Sequence, residues 1–299
     1  MKEEILINVT PRECRAALVE NGVLQEVVIE RASRRGLISN IYKGRVSRVL
    51  PGMQAAFIEV GLERTAFLHA SDIARNPDED APDRESQPNI RDSVHAGDEL
   101  LVQVLKDPLG TKGARLTTYI SIPSRFVVML PNSSSIGVSA RIEDEAERER
   151  LRSIVESLVD EESQAGYIVR TAAEGASLDA LRADMLFLQK LWESISKSAK
   201  TTPPAELVHE DLALPLRVLR DMLSPEIERV RVDSRPWFGR MRDFAEQFVP
   251  HMAPMIELYE GPRPIFDLYG VDDEIARALH PKVPLKSGGY LIFDQTEAM

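Results

Sequence analysis

At 299 residues the chain exceeds what one ordinary hydrophobic core organises, and it suits two or three domain-sized units. A composition 43% hydrophobic and 28% charged excludes a wholly disordered or collagen-like chain, and charges break every apolar run short of the ~20 residues a membrane helix needs. The net charge of −11 argues against a polyanionic partner when taken as a sum, and the single cysteine, Cys14, excludes a disulfide framework or a cysteine-cluster zinc site.

The charges are unevenly spread. From Arg31 to Leu50 the chain carries Arg31, Arg34, Arg35, Lys43, Arg45 and Arg48 without one acid, whereas NPDEDAPDRE (76–85) is strongly acidic. Such polarity within one chain outweighs its total as evidence of a local cationic face. The opening segment, MKEEILINVTPREC, has no cleavable leader pattern, so a soluble cytoplasmic protein is expected.

Residues 4–10 and 16–29 read as strands joined by the turn signal Glu20-Asn21-Gly22. Five short β-like runs follow between 38 and 120, punctuated by Pro51-Gly52 and Gly61, and they predict a small closed barrel. The acidic stretch 76–93 reads as a surface loop, placed away from any phosphate-binding face. Beyond Arg125 the pattern turns mixed α/β. RFVVMLP is a buried strand candidate, and Leu151, Ile154, Val155 and Leu158 mark a helix after the acidic start EDEAE. GYIVRTAAEG is a further strand ending in small residues. A long helix is predicted from about 177 to 197, with Leu178, Leu181, Met185, Leu188, Trp192 and Ile195 on one side. After the breaker at 201–204, helix, strand and helix alternate towards DDEIARALH.

The barrel is the first candidate site. Barrels of this type bind single strands by stacking bases on exposed aromatics beside cations. Phe57 and Phe67 lie ten residues apart across the Gly61 turn, a spacing that suits neighbouring strands of one face. Lys43, Arg45, Lys106, Lys112 and Arg115 are candidate phosphate contacts; the competing reading is that both phenylalanines are core. Arg170 and Thr171 follow an apolar strand directly and precede small residues, a pattern that presents a guanidinium and a hydroxyl at a strand end, where an ordinary surface arginine is the alternative. GTKGA lacks phosphate-loop spacing, the five histidines are scattered, and acids such as Asp272-Asp273 sit at helix starts, so no catalytic or metal centre is read from the residues.

Four blocks are more specific: GLISNIYKGRVSRVLPGMQAAFIEVGLERTAFLHASDI, LKDPLGTKGARLTT, RPIFDLYGVDDEIARAL and LKSGGYLIFDQTEAM. With them the chain resembles the ribonuclease E/G family along essentially its whole length. The resemblance implies an α+β multidomain protein: a ribonuclease-H-like α/β portion from 1–35 and 215–278, an inserted OB-fold RNA-binding barrel at 36–118, an α/β sensor of the RNA 5′ end at 119–214, and the start of a deoxyribonuclease-I-like catalytic domain at 279–299. It implies a single-strand-preferring endoribonuclease that processes ribosomal RNA precursors and degrades messenger RNA, favours 5′-monophosphorylated substrates and forms homo-oligomers. Phe57, Phe67 and Lys112 match the family's RNA contacts. Arg170 and Thr171, with Arg141 and the backbone around Ser124 and Val128, match its 5′-phosphate sensor, although position 124 is Ser where relatives carry Gly. The family's magnesium is held by two aspartates, and its zinc is shared between subunits by paired cysteines; both ligand sets are absent from these 299 residues, so RNA binding without cleavage is expected. A noncatalytic RNA-binding adaptor built on the barrel is the alternative, and an interaction scaffold without RNA binding is a third.

Overall fold

A computed structural model describes residues 3–33, 35–74, 89–159, 165–222, 226–248, 250–285 and 287–294. The chain forms two compact units, one from 1–35 with 213–299 and the other from 36–212.

In the first unit the hairpin predicted at Glu20-Asn21-Gly22 joins Glu13–Glu20 to Val23–Arg31, with Asn21 and Gly22 at positive φ as such turns demand. These strands extend a five-stranded sheet whose order is Ile256–Leu258, Ile227–Val232, Glu3–Val9, Glu13–Glu20, Val23–Arg31. The first three strands are parallel and the last three antiparallel. Alternation along Glu3–Val9 sends Ile5 and Ile7 to one face, against the helices Leu214–Asp221 and Arg235–Phe248. Leu6 goes to the other face, against Ile265, Phe266 and Val271 of two short helices. Cys14 lies at the edge of the first of these cores, and burial pushes its thiol up to about 12, which keeps it uncharged. A two-stranded hairpin, Lys282–Pro284 with Tyr290–Ile292, follows.

The second unit contains the barrel. Its strands run Ile41–Leu50, Ala55–Glu59, Ala66–His69, Arg115–Thr117, Glu99–Lys106 and back to Ile41–Leu50, so the sheet closes on itself. All pairings are antiparallel except Ala66–His69 with Arg115–Thr117. Val46, Ala56, Ile58, Leu68, Val102, Val104 and Leu116 point inward and fill it. The acidic stretch expected as a surface loop lies mostly outside the described residues; its last residues form the short helix Ile90–Ser93, and Ile90 is fully buried in the barrel core.

Within the same unit a four-stranded sheet runs Ile136–Val138, Gly166–Val169, Val127–Leu130, Ile122–Pro123. The helices Glu145–Leu158 and Leu178–Thr201 cover one face and bury Val127, Met129, Tyr167 and Val169. The long helix matches its predicted stripe except at Leu178, which occupies the first helical position and is 38% exposed. Asp144 caps the other helix by accepting from the Ala146 amide, and Glu145 and Glu147 fill its first turn, so the acids read as helix-start residues are that. The border expected at 118/119 runs through this unit. Strand Glu206–His209 returns from the second portion and pairs with the first residues of Ile41–Leu50.

Gly61 shows how tightly that return packs. Its φ is +77°, and a Cβ there would meet the Ala205 carbonyl oxygen at 2.2 Å. Both conformation and space therefore demand glycine. We expect Gly61→Ala to destabilise this unit by about 1–3 kcal/mol, seen as a lowered denaturant midpoint in tryptophan fluorescence, whereas an unchanged midpoint would contradict the packing.

Candidate nucleic-acid interface

Strand alternation places Phe57 and Phe67 on the outside of the barrel, between the inward-facing Ala56, Ile58, Ala66 and Leu68. They are directly opposite one another across neighbouring strands, with ring centroids 6.4 Å apart and planes at 70°. Edge-to-face pairing of this kind holds both rings in place, each partly buried on the barrel's outer side. Neither belongs to the barrel's buried core.

The register extends the pair into a row. Arg48 lies opposite Phe57, Phe67 opposite Arg115, and Arg115 opposite Lys106. Arg48, Phe57, Phe67, Arg115 and Lys106 thus cross five strands in order, over about 19 Å at ordinary strand spacing. His69 flanks Phe67 with its ring centroid 6.4 Å away, and its Nδ1 is 2.8 Å from the Ser71 hydroxyl. Arg115 is steadied by Asp72 at 2.9 Å. Lys112 is exposed on the turn that leads into Arg115–Thr117, pinned by mutual backbone bonds with Leu109 and by the Arg64 side chain donating to the Gly110 carbonyl. That turn presses on the strand carrying Phe67: a Cβ at Gly113 would meet the Thr65 carbonyl oxygen at 2.0 Å.

Two of the expected cations stand apart. Lys43 and Arg45 lie in the first half of Ile41–Leu50, and Lys43 is roughly 16 Å along the strand from Arg48. Glu99 bridges both, 3.2 Å from Lys43 and 3.4 Å from Arg45, and the hydrogen bond from Lys43 is the main reason its carboxyl is held below the usual range. Glu99 offsets part of their charge, and strand register places them away from the aromatic row.

A second cluster lies at one end of the four-stranded sheet, where Gly166–Val169 and Ile136–Val138 finish and Val127–Leu130 begins. Arg170 donates its backbone amide to the Phe126 carbonyl at 2.8 Å and a guanidinium NH to the Ser124 carbonyl at 2.6 Å. Thr171 is exposed beside it, opening a 3-10 turn. Ser139 donates its amide to the Val169 carbonyl, which brings the segment bearing the exposed Arg141 to the same end of the sheet. Val128 pairs with Ile168 on the face the helices leave open, and Ile168 is 40% exposed. Ser124 is buried, and its amide donates to the Val127 carbonyl, so that amide is occupied inside the protein.

Asp184, unremarked in the sequence, organises this corner. Its buried carboxylate accepts from the Ser124 hydroxyl and from the Phe126 and Val127 amides at 2.9 and 3.1 Å. Burial pushes its pKa above the usual carboxylate range, and the hydrogen bonds pull it back. A signal was present: Asp184 sits three residues after Leu181 and four before Leu188, within the apolar stripe, where an acid needs partners. Among the described residues no three His, Cys, Asp or Glu side chains come together to hold a metal ion. No helix of the described residues is long and apolar enough to cross a membrane.

The Ribonuclease E/G family model matches residues 121–299, more than half of the sequence. The chain belongs to the ribonuclease E/G family. An S1 RNA binding domain matches residues 38–118, the span of the closed barrel. Ribonuclease G of Salmonella typhimurium (strain SL1344) is 52% identical over 302 residues, covering 100% of this chain and 61% of the relative. Ribonuclease G of Haemophilus influenzae is 50% identical over 99% of the chain and 60% of the relative. Ribonuclease E of Escherichia coli (strain K12) is 36% identical over 99% of the chain and 28% of its own length. The chain therefore spans about three-fifths of the ribonuclease G relatives it matches. For this member of the ribonuclease E/G family, the family and OB-type barrel expected from sequence hold.

The geometry separates the cations by consequence. Lys106→Ala should weaken binding of an unstructured oligoribonucleotide several-fold and flatten its salt dependence, while Lys43→Ala, already paired with Glu99, should change affinity less than about twofold. Fluorescence anisotropy at several salt concentrations checks this; equal losses would place Lys43 in the interface.

Proposed function

We propose that this chain is the RNA-binding and 5′-end-sensing region of a single-strand-preferring endoribonuclease that processes ribosomal RNA precursors and degrades messenger RNA. The observation that carries the RNA-binding part is the in-register row Arg48, Phe57, Phe67, Arg115, Lys106 on an S1 barrel. Bases stack on the two rings whatever their identity, because every base presents a π-face, and the flanking cations meet the phosphates on either side. A duplex hides its base faces within the stack, so the row selects unpaired strands. Nuclease activity is inferred from the names of the relatives, ribonuclease G and ribonuclease E.

The end-sensing part rests on the corner around Arg170. A guanidinium matches phosphate oxygens bidentately, and the neighbouring Thr171 hydroxyl adds a donor of the right reach. Arg141 adds positive charge at the same end of the sheet. A 5′-monophosphate carries more charge and more acceptor oxygens than a 5′-hydroxyl or an internal phosphodiester, so such a corner favours it. The open sheet face with Val128 and Ile168 gives the first nucleotide an apolar surface to lie against.

Phe57→Ala and Phe67→Ala should each weaken binding of a short unstructured oligoribonucleotide by about 1–3 kcal/mol while leaving the circular dichroism melt unchanged. Unaltered affinity with an unaltered melt would remove the barrel row from the interface. Arg170→Ala should abolish the preference for a 5′-monophosphate over a 5′-hydroxyl without changing affinity for the hydroxyl-ended strand; a preserved preference would remove Arg170 from end recognition.

A further inference from the structure

We infer that Asp184 is a positioning residue for Arg170, holding the guanidinium in its ligand-facing geometry through the turn at residues 124–127. The inference rests on the reading of Arg170 as a contact for a 5′-terminal phosphate. Two carbonyls of this turn hold Arg170, one at each level: Phe126 accepts from its backbone amide and Ser124 from its side chain. The amides and the hydroxyl of the same short segment converge on Asp184, from Ser124, Phe126 and Val127, and the Arg125 amide points there as well. Carboxylate, turn and guanidinium thus form one continuous hydrogen-bonded chain.

The physical consequence has two parts. Peptide units that donate to a buried carboxylate are polarised, so their neighbours' carbonyl oxygens accept more strongly and the Arg170 contacts tighten. The carboxylate also fixes the turn's shape, which sets the depth of the Ser124 oxygen and with it the position of the guanidinium. An Arg side chain has many rotamers, and a bidentate phosphate contact needs one of them; Asp184 reduces the ordering left to be done on binding. A helix acid within an apolar stripe also carries a desolvation cost that a neutral residue there would avoid. Fixing the guanidinium is what that cost sustains.

The charge around the site follows the same logic. Arg125 and Arg170 lie within electrostatic reach of one another, and Asp184 within reach of Arg125. One carboxylate and two guanidiniums leave a net positive corner. That corner accepts a phosphate without leaving the two guanidiniums to repel one another in its absence.

The test uses the whole 299-residue chain and 3′-labelled unstructured oligoribonucleotides that end in a 5′-monophosphate or a 5′-hydroxyl. The readout is the ratio of the two affinities, measured for the parent, Asp184→Asn, Arg170→Ala and the double variant. Asp184→Asn should lower the monophosphate preference about tenfold while hydroxyl-ended affinity, set by the barrel, stays within twofold, and the double variant should be no worse than Arg170→Ala alone. A general loss of structure would lower both affinities and leave the two variants additive. If Asp184→Asn keeps the parental ratio while Arg170→Ala loses it, or if their effects add, the role of Asp184 is overturned and the phosphate reading survives. If the parent has no preference, or Arg170→Ala keeps it, the phosphate reading itself falls and the inference with it. Should Asp184→Asn fail to fold, Asp184→Glu, which keeps a carboxylate on a longer stem, enters the same cycle with the same outcomes.

Discussion

Strand Ile41–Leu50 pairs with Glu99–Lys106 along its first half and with Ala55–Glu59 along its second, and this double pairing closes the barrel. Closure ties the registers of neighbouring strands together, with register shifts just before Arg48 and just before Lys106. A slip of one residue anywhere around the ring would turn Phe57 or Phe67 inward and bring Ile58 or Leu68 out to solvent. The packed interior therefore dictates the exterior: because small and branched side chains fill the inside, two aromatic rings and three cations stand in line on the outside. The outer row is a consequence of core packing, and it needs no separate folding device.

The same closure sorts the positive charge. Arg48 and Lys43 belong to one strand, yet its two halves have different neighbours, so Arg48 meets Phe57 while Lys43 meets Glu99. A net charge of −11 is compatible with RNA binding for this reason. What a polyanion meets at short range is the local arrangement, since screening at physiological salt limits exposed charges to about 8 Å.

The corner around Arg170 is built on a different principle. There the parallel strands Ile136–Val138 and Gly166–Val169 terminate together, which gathers loops distant in sequence. Asp184 reaches the gathered turn from a helix, so the geometry of Arg170 depends on residues 46 and 14 positions away in the chain, Ser124 and Asp184. In the function we propose, the barrel would offer sequence-tolerant stacking and the corner charge-assisted recognition of a chain end.

Much of this was legible in the residues alone. Short β-like runs marked the strands, period-3.6 stripes the helices Glu145–Leu158 and Leu178–Thr201, and glycine-bearing turns the barrel, because these signals are local and follow directly from backbone geometry. The family blocks, the two phenylalanines and the Arg170-Thr171 pair were also visible as sequence. Tertiary structure alone decided which cations share the aromatic row, because strand register joins Arg48, Arg115 and Lys106 across up to 67 positions, and whether the rings face out. It alone showed that Ser124 is occupied from within and that Asp184 holds its turn. Alternation along a strand says which residues share a face but not which face is covered. That is settled only when distant segments pack.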